Sequence, residues 1–585
     1  MSKKWMKMAA VTLLTASALT GLTACGSSGD SDGGKKDSDG TVDKSETLTI
    51  DVYDGLANYM GMQKGWFAKI VKDKFNIEMN IIAPNVAGNG DALYQTRTAA
   101  GDLGDLIIAD NGQQYNELVK GGLLYDASDL YKDMEHMNKF DEAVQHTNKD
   151  QEGIYGFPTM VSSLKPTDVS EGLDLNYGAY IRWDLYGQAN YPEIKTLEDM
   201  LPVLKTMQEA EPETESGKKV YGFSLFGDWD GNMMGAGKQL AALYGYDELG
   251  FVLAQADGSD YQGILDDDSE YMRAMKLYFD ANQMGLVDPE STTQNYDTLF
   301  SKFQDGQVLF SWWPWLGQTA YNNTENVNNG KGFMLAPIQD QKIFSYGANV
   351  YGGTQFIGIG SKAEQPERIA ELIDWLYSPE GALANTSDTQ GSAGIEGLTW
   401  EMNDDGLPEL TDFGKKALID GEADMPEEYG GGTYKDGVST LNISTILAID
   451  NNPDNGFPYN YTLWETFQKE NTNALKEDWA KHMDNADTTV EYLEKADQIT
   501  VAPGASYVAP EDSSEIATLR NQVKSTVVEY SWKMVFAKDE AEFNSLKKEL
   551  QDTAKGLGYE DVLKVDMDNA KDQNSQREAV VAEFK

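Results

Sequence analysis

The chain has 585 residues and a formal net charge of −49, with 96 acidic side chains against 47 basic ones. So acidic a surface repels phosphate backbones, which excludes nucleic acid as a partner and disfavours anionic membranes and anionic substrates. A single cysteine excludes an internal disulfide, and the three histidines, His136, His146 and His482, are not paired at metal-ligand spacing, so no zinc site is read, and no histidine-based triad is proposed.

Residues 1–24 read as an export leader. Lys3, Lys4 and Lys7 precede an uncharged run from Met8 to Ala24, and Leu22-Thr23-Ala24 leads into Cys25. The run is shorter than the ~20 apolar residues a bilayer core demands, so it does not read as a spanning helix. Leu-Thr-Ala-Cys matches the bacterial lipobox, in which the cysteine sulfur becomes the point of lipid attachment. Residues 25–46 are Gly, Ser and Asp-rich and read as a flexible tether with a reach of about 25 Å. The expectation is a body held at the outer face of a cell membrane by lipid alone.

Beyond the tether, Thr47–Tyr53 alternates like a strand, and Lys64–Phe75 reads as a helix with Phe67, Ile70 and Val71 on one face. Asn76–Ala83 is a second strand, Asp91–Ala100 a second helix, and Leu106–Ala109 a short buried strand. A helix from Gln114 then stops at Gly121-Gly122. This rhythm predicts an open, largely parallel sheet covered by helices. A second alternating region places strands at Gly178–Arg182, Val220–Phe226 and Val308–Trp312. Its helices start at Thr196, with a capping-box-like sequence, and span Asp268–Met284. Phe356–Gly360 is again a strand, before a helix carrying Ile369, Leu372, Ile373 and Leu376. Two α/β lobes of about 150–200 residues account for this better than one domain. Residues from about 400 onward read as mostly helical and acidic.

Several segments resemble, in order, the extracellular solute-binding proteins of ABC importers. The likeness is to their carbohydrate-binding branch and to the large lipoproteins of Gram-positive bacteria. Gly101-Asp102-Leu103-Gly104-Asp105-Leu106-Ile107 resembles "G-D-x-P-D-I-I", with Gly104 where proline is usual, and Gly122–Asp126 resembles "G-x-L-x-D". Ile154–Pro158, Tyr180–Tyr186, Phe303–Trp315 and the Gly394-Ile395-Glu396-Gly397 element are similar to later family segments. The resemblance implies a two-lobed periplasmic-binding-protein-like fold (type II) with a cleft between lobes and a helical C-terminal extension. The expected division is 47–160 with 350–395 for the first lobe, and 161–349 with 396–585 for the second. It further implies an oligosaccharide ligand, the permease subunits of an importer as partners, a monomer, and no enzymatic activity.

Ligands of open α/β sheets sit beyond the carboxyl ends of strands, which nominates Asp54, Asp110 and Asn111. Sugars present flat C–H faces and hydroxyl edges, so aromatic platforms beside short acceptors are sought. Gly227-Asp228-Trp229-Asp230 and Ser311-Trp312-Trp313-Pro314-Trp315 have that character. Alternation along the latter sends some rings inward, so Trp315 and Trp313 are expected to reach ligand and Trp312 is not. Arg182, Glu396 and Tyr351, the last at a lobe crossing before Gly352-Gly353, complete the ligand-binding set. No cofactor is expected. Some relatives carry a calcium loop where this chain has Glu211–Lys219, but a later acidic ligand is missing there. A glycoside hydrolase, needing two carboxylates ~5–10 Å apart, and a polysaccharide-binding adhesin are the alternatives.

Overall fold

The computed structural model describes residues 43–584 apart from 87–89, 386–390, 422, 506 and 508. The leader, Cys25 and most of the tether lie outside the described residues. Lys44–Lys585 forms one unit built around two large hydrophobic cores.

The first core begins with β1 (Leu48–Asp54), whose Leu48, Ile50 and Val52 alternate inward. Helix α1 (Gly65–Phe75) buries Trp66, Phe67, Val71 and Phe75 and ends at Asn76, which adopts φ 52° and donates its N–H to the Lys72 carbonyl. That left-handed residue turns the chain into β2 (Ile77–Ile82), parallel to β1 from the pair Leu48↔Ile77 onward. After α2 (Gly90–Ala99), β3 (Leu106–Asp110) adds parallel to β1 on its other side, and α3 (Gln113–Lys120) follows. The predicted elements are all present here. The sheet is less parallel than expected, because β4 (Gln355–Ile359) returns from the second core and pairs antiparallel to β3, Gln355 facing Asp110. Short antiparallel strands, Gly61–Met62 and Phe157–Pro158, close the two edges.

The second core departs further from a parallel sheet. Tyr180–Arg182 is flanked antiparallel by Phe310–Ser311 and Phe333–Leu335, and a separate meander runs Tyr246–Leu249, Val252–Gln255, Tyr261–Gly263. The expected strand Val220–Phe226 makes only single bridges, Tyr221↔Val308 and Phe223↔Val287. The expected strand Val308–Trp312 shortens to Phe310–Ser311, since Pro314 opens the helix Pro314–Tyr321. Helices dominate instead, among them Gly235–Leu243, Glu270–Gln283 and the C-terminal trio Ser514–Val535, Glu540–Gly556 and Tyr559–Glu583.

The chain crosses between cores near 162–174, 346–354 and 465–474. The first two crossings run beside residues 502–504: Gly347 N–H donates to the Ala502 carbonyl, Gly504 N–H to that of Pro166, and Ala348 N–H to that of Asp168. A β-carbon on Gly347 would lie 2.0 Å from the Pro166 carbonyl oxygen, so only glycine fits that approach. Residues 396–464, expected with the second lobe, pack into the first core through Trp400, Tyr434, Leu441 and Trp464. Tyr434 stacks on Trp66 at 5.2 Å, and its carbonyl accepts the Trp66 indole N–H.

Candidate functional site

Three tryptophans that the sequence places 84 or more residues apart from one another's segments, Trp229 on one side and Trp313 and Trp315 on the other, meet on the second core. Trp313 and Trp315 stack at 5.1 Å and 30°, and Trp229 packs 5.7 Å from each. The turn beneath is held by Ser311, whose Oγ accepts the Trp313 N–H and donates to the Trp313 carbonyl. Trp312 points the other way and donates its indole N–H to the Tyr278 hydroxyl. Exposure sorts the rings: Trp229 is 47% and Trp315 37% exposed, against 7% for Trp313 and 4% for Trp312. The outward pair are Trp229 and Trp315, while Trp313 serves mainly as their backing.

Tyr296, which the sequence reading missed, completes the wall by stacking on Trp229 at 5.3 Å and 24°. The Asp228 carboxylate accepts the Tyr296 N–H at the start of the helix Tyr296–Gln304, fixing the loop against that helix while staying exposed. Asp230 turns inward, where it accepts from the Trp532 indole and the Gly235 N–H, and burial raises its carboxyl above the ordinary range. Under this wall lies a cavity of about 280 Å³, lined by Phe226, Trp229, Trp313, Ser224, Tyr177 and Lys238.

A second hollow of about 310 Å³ opens at the carboxyl ends of β1 and β3, lined by Tyr53, Leu56, Tyr94, Asp110, Gln114 and Gln355. This is the location that strand topology nominates. Asp110 is exposed there, one carboxylate oxygen accepting the Gly112 N–H. Asn111 is fixed from two sides, its N–H on the Thr354 carbonyl and its amide 3.4 Å from the Thr147 hydroxyl. Asp54 is fully buried and accepts the N–H groups of Leu56, Ala57 and Asn442. Burial pushes its carboxyl up to about 6 despite those donors. Asp54 therefore supports the loop that lines the hollow instead of facing a ligand.

Arg182 also leaves the expected set. It is fully buried, forks onto Asp184 with two nitrogens, reaches Glu211 with a third, and stacks over Tyr321 at 4.4 Å. All three of its nitrogens are engaged within the protein and the group is sealed from solvent, so it does not face a ligand. Tyr351 is buried at the second crossing, with its hydroxyl on Glu583 and its ring stacked on His146 at 3.8 Å. Glu396 is exposed on a turn bridged to Trp400, which is itself buried against Trp464 in the first core.

The segment Glu211–Lys219 closes on itself. Glu211 pairs with Arg182 and Glu215 with Lys331, while the Ser216 hydroxyl donates to Asp305. Among the described residues no group of three or more His, Cys, Asp or Glu side chains is disposed to hold a metal ion, and no helix is long and apolar enough to cross a membrane.

A family model described as bacterial extracellular solute-binding protein matches residues 63–383. No curated protein sequence matches the chain. Among solved structures, the S. pneumoniae ABC-transporter substrate binding protein FusA, an EF-hand mutant in complex with fructo-nystose, is 15% identical with a TM-score of 0.54, covering 91% of this chain and 100% of that one. An HMO-binding, ABC-transporter-associated solute binding protein from Bifidobacterium longum infantis is 14% identical with a TM-score of 0.56, covering 90% and 98%. The N-glycan transport solute binding protein NgtS from Streptococcus pneumoniae is 14% identical with a TM-score of 0.50, covering 92% and 100%. At such identities the likeness is one of fold.

Proposed function

The chain belongs to the bacterial extracellular solute-binding proteins, and from that premise we propose that it captures a neutral oligosaccharide between its two lobes and delivers it to an ABC importer. The observation that carries this reading is the wall of Trp229, Tyr296 and Trp315, with Trp229 and Trp315 left open to solvent beside the exposed Asp228. Indole faces suit the C–H face of a sugar ring, and a carboxylate at the ring edge accepts its hydroxyls. Large exposed aromatic rings are otherwise a liability on a soluble surface. The net charge of −49 favours neutral over uronate ligands. Solved structures of the same fold include complexes and transport proteins named for fructo-nystose, HMO and N-glycan, which supports an oligosaccharide as cargo.

In this reading Asp110, Asn111 and Gln114 of the first lobe meet the far side of the sugar. The crossings near 162–174, 346–354 and 465–474 act as the hinge. Sugar adds contacts from both lobes only when they meet, so it selects the closed form that the permease reads. Cys25 carries the lipid that keeps the receptor at the outer face of the membrane, and the receptor works as a monomer. A glycosidase needs two available carboxylates, and Asp230, the neighbour of Asp228, is taken up by Trp532 and Gly235, which argues for binding over hydrolysis. A thermal-shift screen against kestose, lacto-N-tetraose, maltotetraose and Man5GlcNAc tests the proposal. At least one should raise the melting temperature, without products appearing on prolonged incubation. A shift with none of them, or hydrolysis at catalytic protein concentration, would refute it.

A further inference from the structure

Among the described residues, Arg577 is a buried arginine whose guanidinium has no hydrogen-bond or ion-pair partner at all. Of the other arginines, the buried Arg182 is held by Asp184 and Glu211 and the buried Arg368 by the carbonyls of Glu46, Phe75 and Asn76, while the half-buried Arg520 is held by Asp512 and Asp566. Arg577 is 7% exposed, yet among the described residues its guanidinium forms neither a hydrogen bond nor a close ion pair. A desolvated guanidinium with idle donors is costly, and proteins rarely keep one without use.

Its position follows from the helix that carries it. Leu563, Met567 and Ala570 of the C-terminal helix pack on Leu249, Val252, Ala254 and Tyr261 of the meander. The same helical stripe continues to Asn574 and Arg577. Asp247 lies two residues before Leu249 and opposite Ala254, so it shares that face of its strand. Asp247, Tyr346 and Tyr261 are the ionisable groups that surround the guanidinium. Asp247 is nearly as idle: its one hydrogen bond is to the Glu248 N–H, and burial raises its carboxyl above the ordinary range.

This polar cluster continues into the cavity beneath the tryptophans. Tyr177 and Lys238 line that cavity. The Tyr177 hydroxyl is 3.5 Å from the Tyr346 hydroxyl, and Lys238 is 3.0 Å from Glu248, the neighbour of Asp247. Tyr346 itself is 39% exposed. Tyr177 and Lys238 thus lead from the aromatic lining, through the Tyr346 hydroxyl and Glu248, toward the Arg577 guanidinium and the Asp247 carboxylate.

Building on the sugar-binding reading of the tryptophan wall, we infer that Arg577, Asp247 and Tyr346 form a polar subsite of the same cleft. It takes a vicinal diol of a neutral sugar ring, the guanidinium donating to one oxygen and the carboxylate accepting from the other. The C-terminal helix then contributes directly to recognition. Specificity follows as well, because a carboxylated sugar placed here would meet Asp247, Glu248 and the half-buried Glu171 that accepts from Ser345. Opposite charges on Arg577 and Asp247 suit a polar, uncharged group.

The test is calorimetry on the full chain with kestose, lacto-N-tetraose, maltotetraose and, as the acidic probe, trigalacturonate. Arg577→Gln should lower affinity for whichever neutral sugar binds the wild type by roughly 10- to 100-fold, the range for a hydrogen bond to a charged group. The melting temperature of the unliganded variant should fall somewhat, since Asp247 is left without its nearby cation, so the loss of affinity is read on protein shown to be folded. Tyr346→Phe, at a residue 39% exposed, should cost roughly 3- to 10-fold with little change in stability. Unchanged affinity in both variants, or a fall in melting temperature with affinity intact, would overturn the subsite. Tighter binding of trigalacturonate than of any neutral sugar would overturn its specificity. If Trp315→Ala abolishes binding while Arg577→Gln does not, this inference alone fails. If no sugar binds the wild type, the underlying reading fails with it.

Discussion

Replacing Trp315 by alanine probes the wall at one of its two outward rings. The ring is 37% exposed and stacks 5.1 Å from Trp313, so it already faces water on one side. A tryptophan offers about 250 Å², which leaves roughly 90 Å² of ring for a ligand to cover. At about 25 cal/mol per Å², full coverage stabilises a complex by about 2 kcal/mol, or roughly 30-fold in Kd. The fold loses more, up to about 4 kcal/mol, because the remaining ring surface, about 160 Å², is already covered, much of it by Trp313 and Trp229. Calorimetry against the neutral sugar giving the largest thermal shift measures the first quantity, and urea denaturation the second. Trp315→Phe should recover part of the affinity, since it restores an aromatic face of smaller area. An unchanged Kd for Trp315→Ala, in protein whose urea midpoint confirms folding, would show that the ring does not touch sugar.

Other outcomes are open to measurement. Arg182→Met leaves Asp184 and Glu211 without their cation and should destabilise the chain by about 3–5 kcal/mol, with sugar affinity of the folded fraction unchanged; a specific loss of affinity would return Arg182 to the site. Asp54 has a folded pKa of about 6 against an ordinary 3.8, so the folded chain holds its proton more tightly than the unfolded chain. The stability linked to that proton is full below about pH 4 and lost as pH rises through about 6, so Asp54→Asn should gain roughly 3 kcal/mol relative to wild type between about pH 4 and pH 7. A flat difference across urea titrations at those pH values would contradict the assignment. Cys25→Ala should move the protein from the membrane fraction to the medium without altering sugar affinity, and retention in the membrane fraction would exclude the lipid anchor.

What the sequence made legible was residue type and local period. β1, β2 and β3 were readable because their apolar residues run or alternate without interruption, and α1 because Phe67 and Val71 share a face. The same rule misread Val220–Phe226, where an apolar run is buried by single bridges to Val287 and Val308 with no ladder beside it. Residues 400–464 were read as mostly helical, whereas they form short strands and single helical turns. Their burial comes from distant rings, Tyr434 on Trp66 and Trp400 on Trp464. Within the candidate site, tryptophans were found because an exposed indole is conspicuous by its cost. Tyr296 was not, since nothing near it in the chain signals that Trp229 will lie across its ring.

Carboxylates are the harder case, because 96 of them share one chemistry and only their surroundings differ. Asp54 and Asp110 each end a strand of the same sheet, and strand topology nominates both equally. They are separated by Asn442, 388 residues from Asp54, whose N–H takes a carboxylate oxygen and helps seal that group from water. Asp110 has no such visitor and stays exposed in the hollow. Arg577 and Asp247 invert the pattern: each is buried by distant chain without being satisfied by it. Partners far along the chain thus decide whether a polar side chain is finished by the fold or left for a ligand to finish. That distinction first exists when the chain has closed on itself, so no local pattern can carry it.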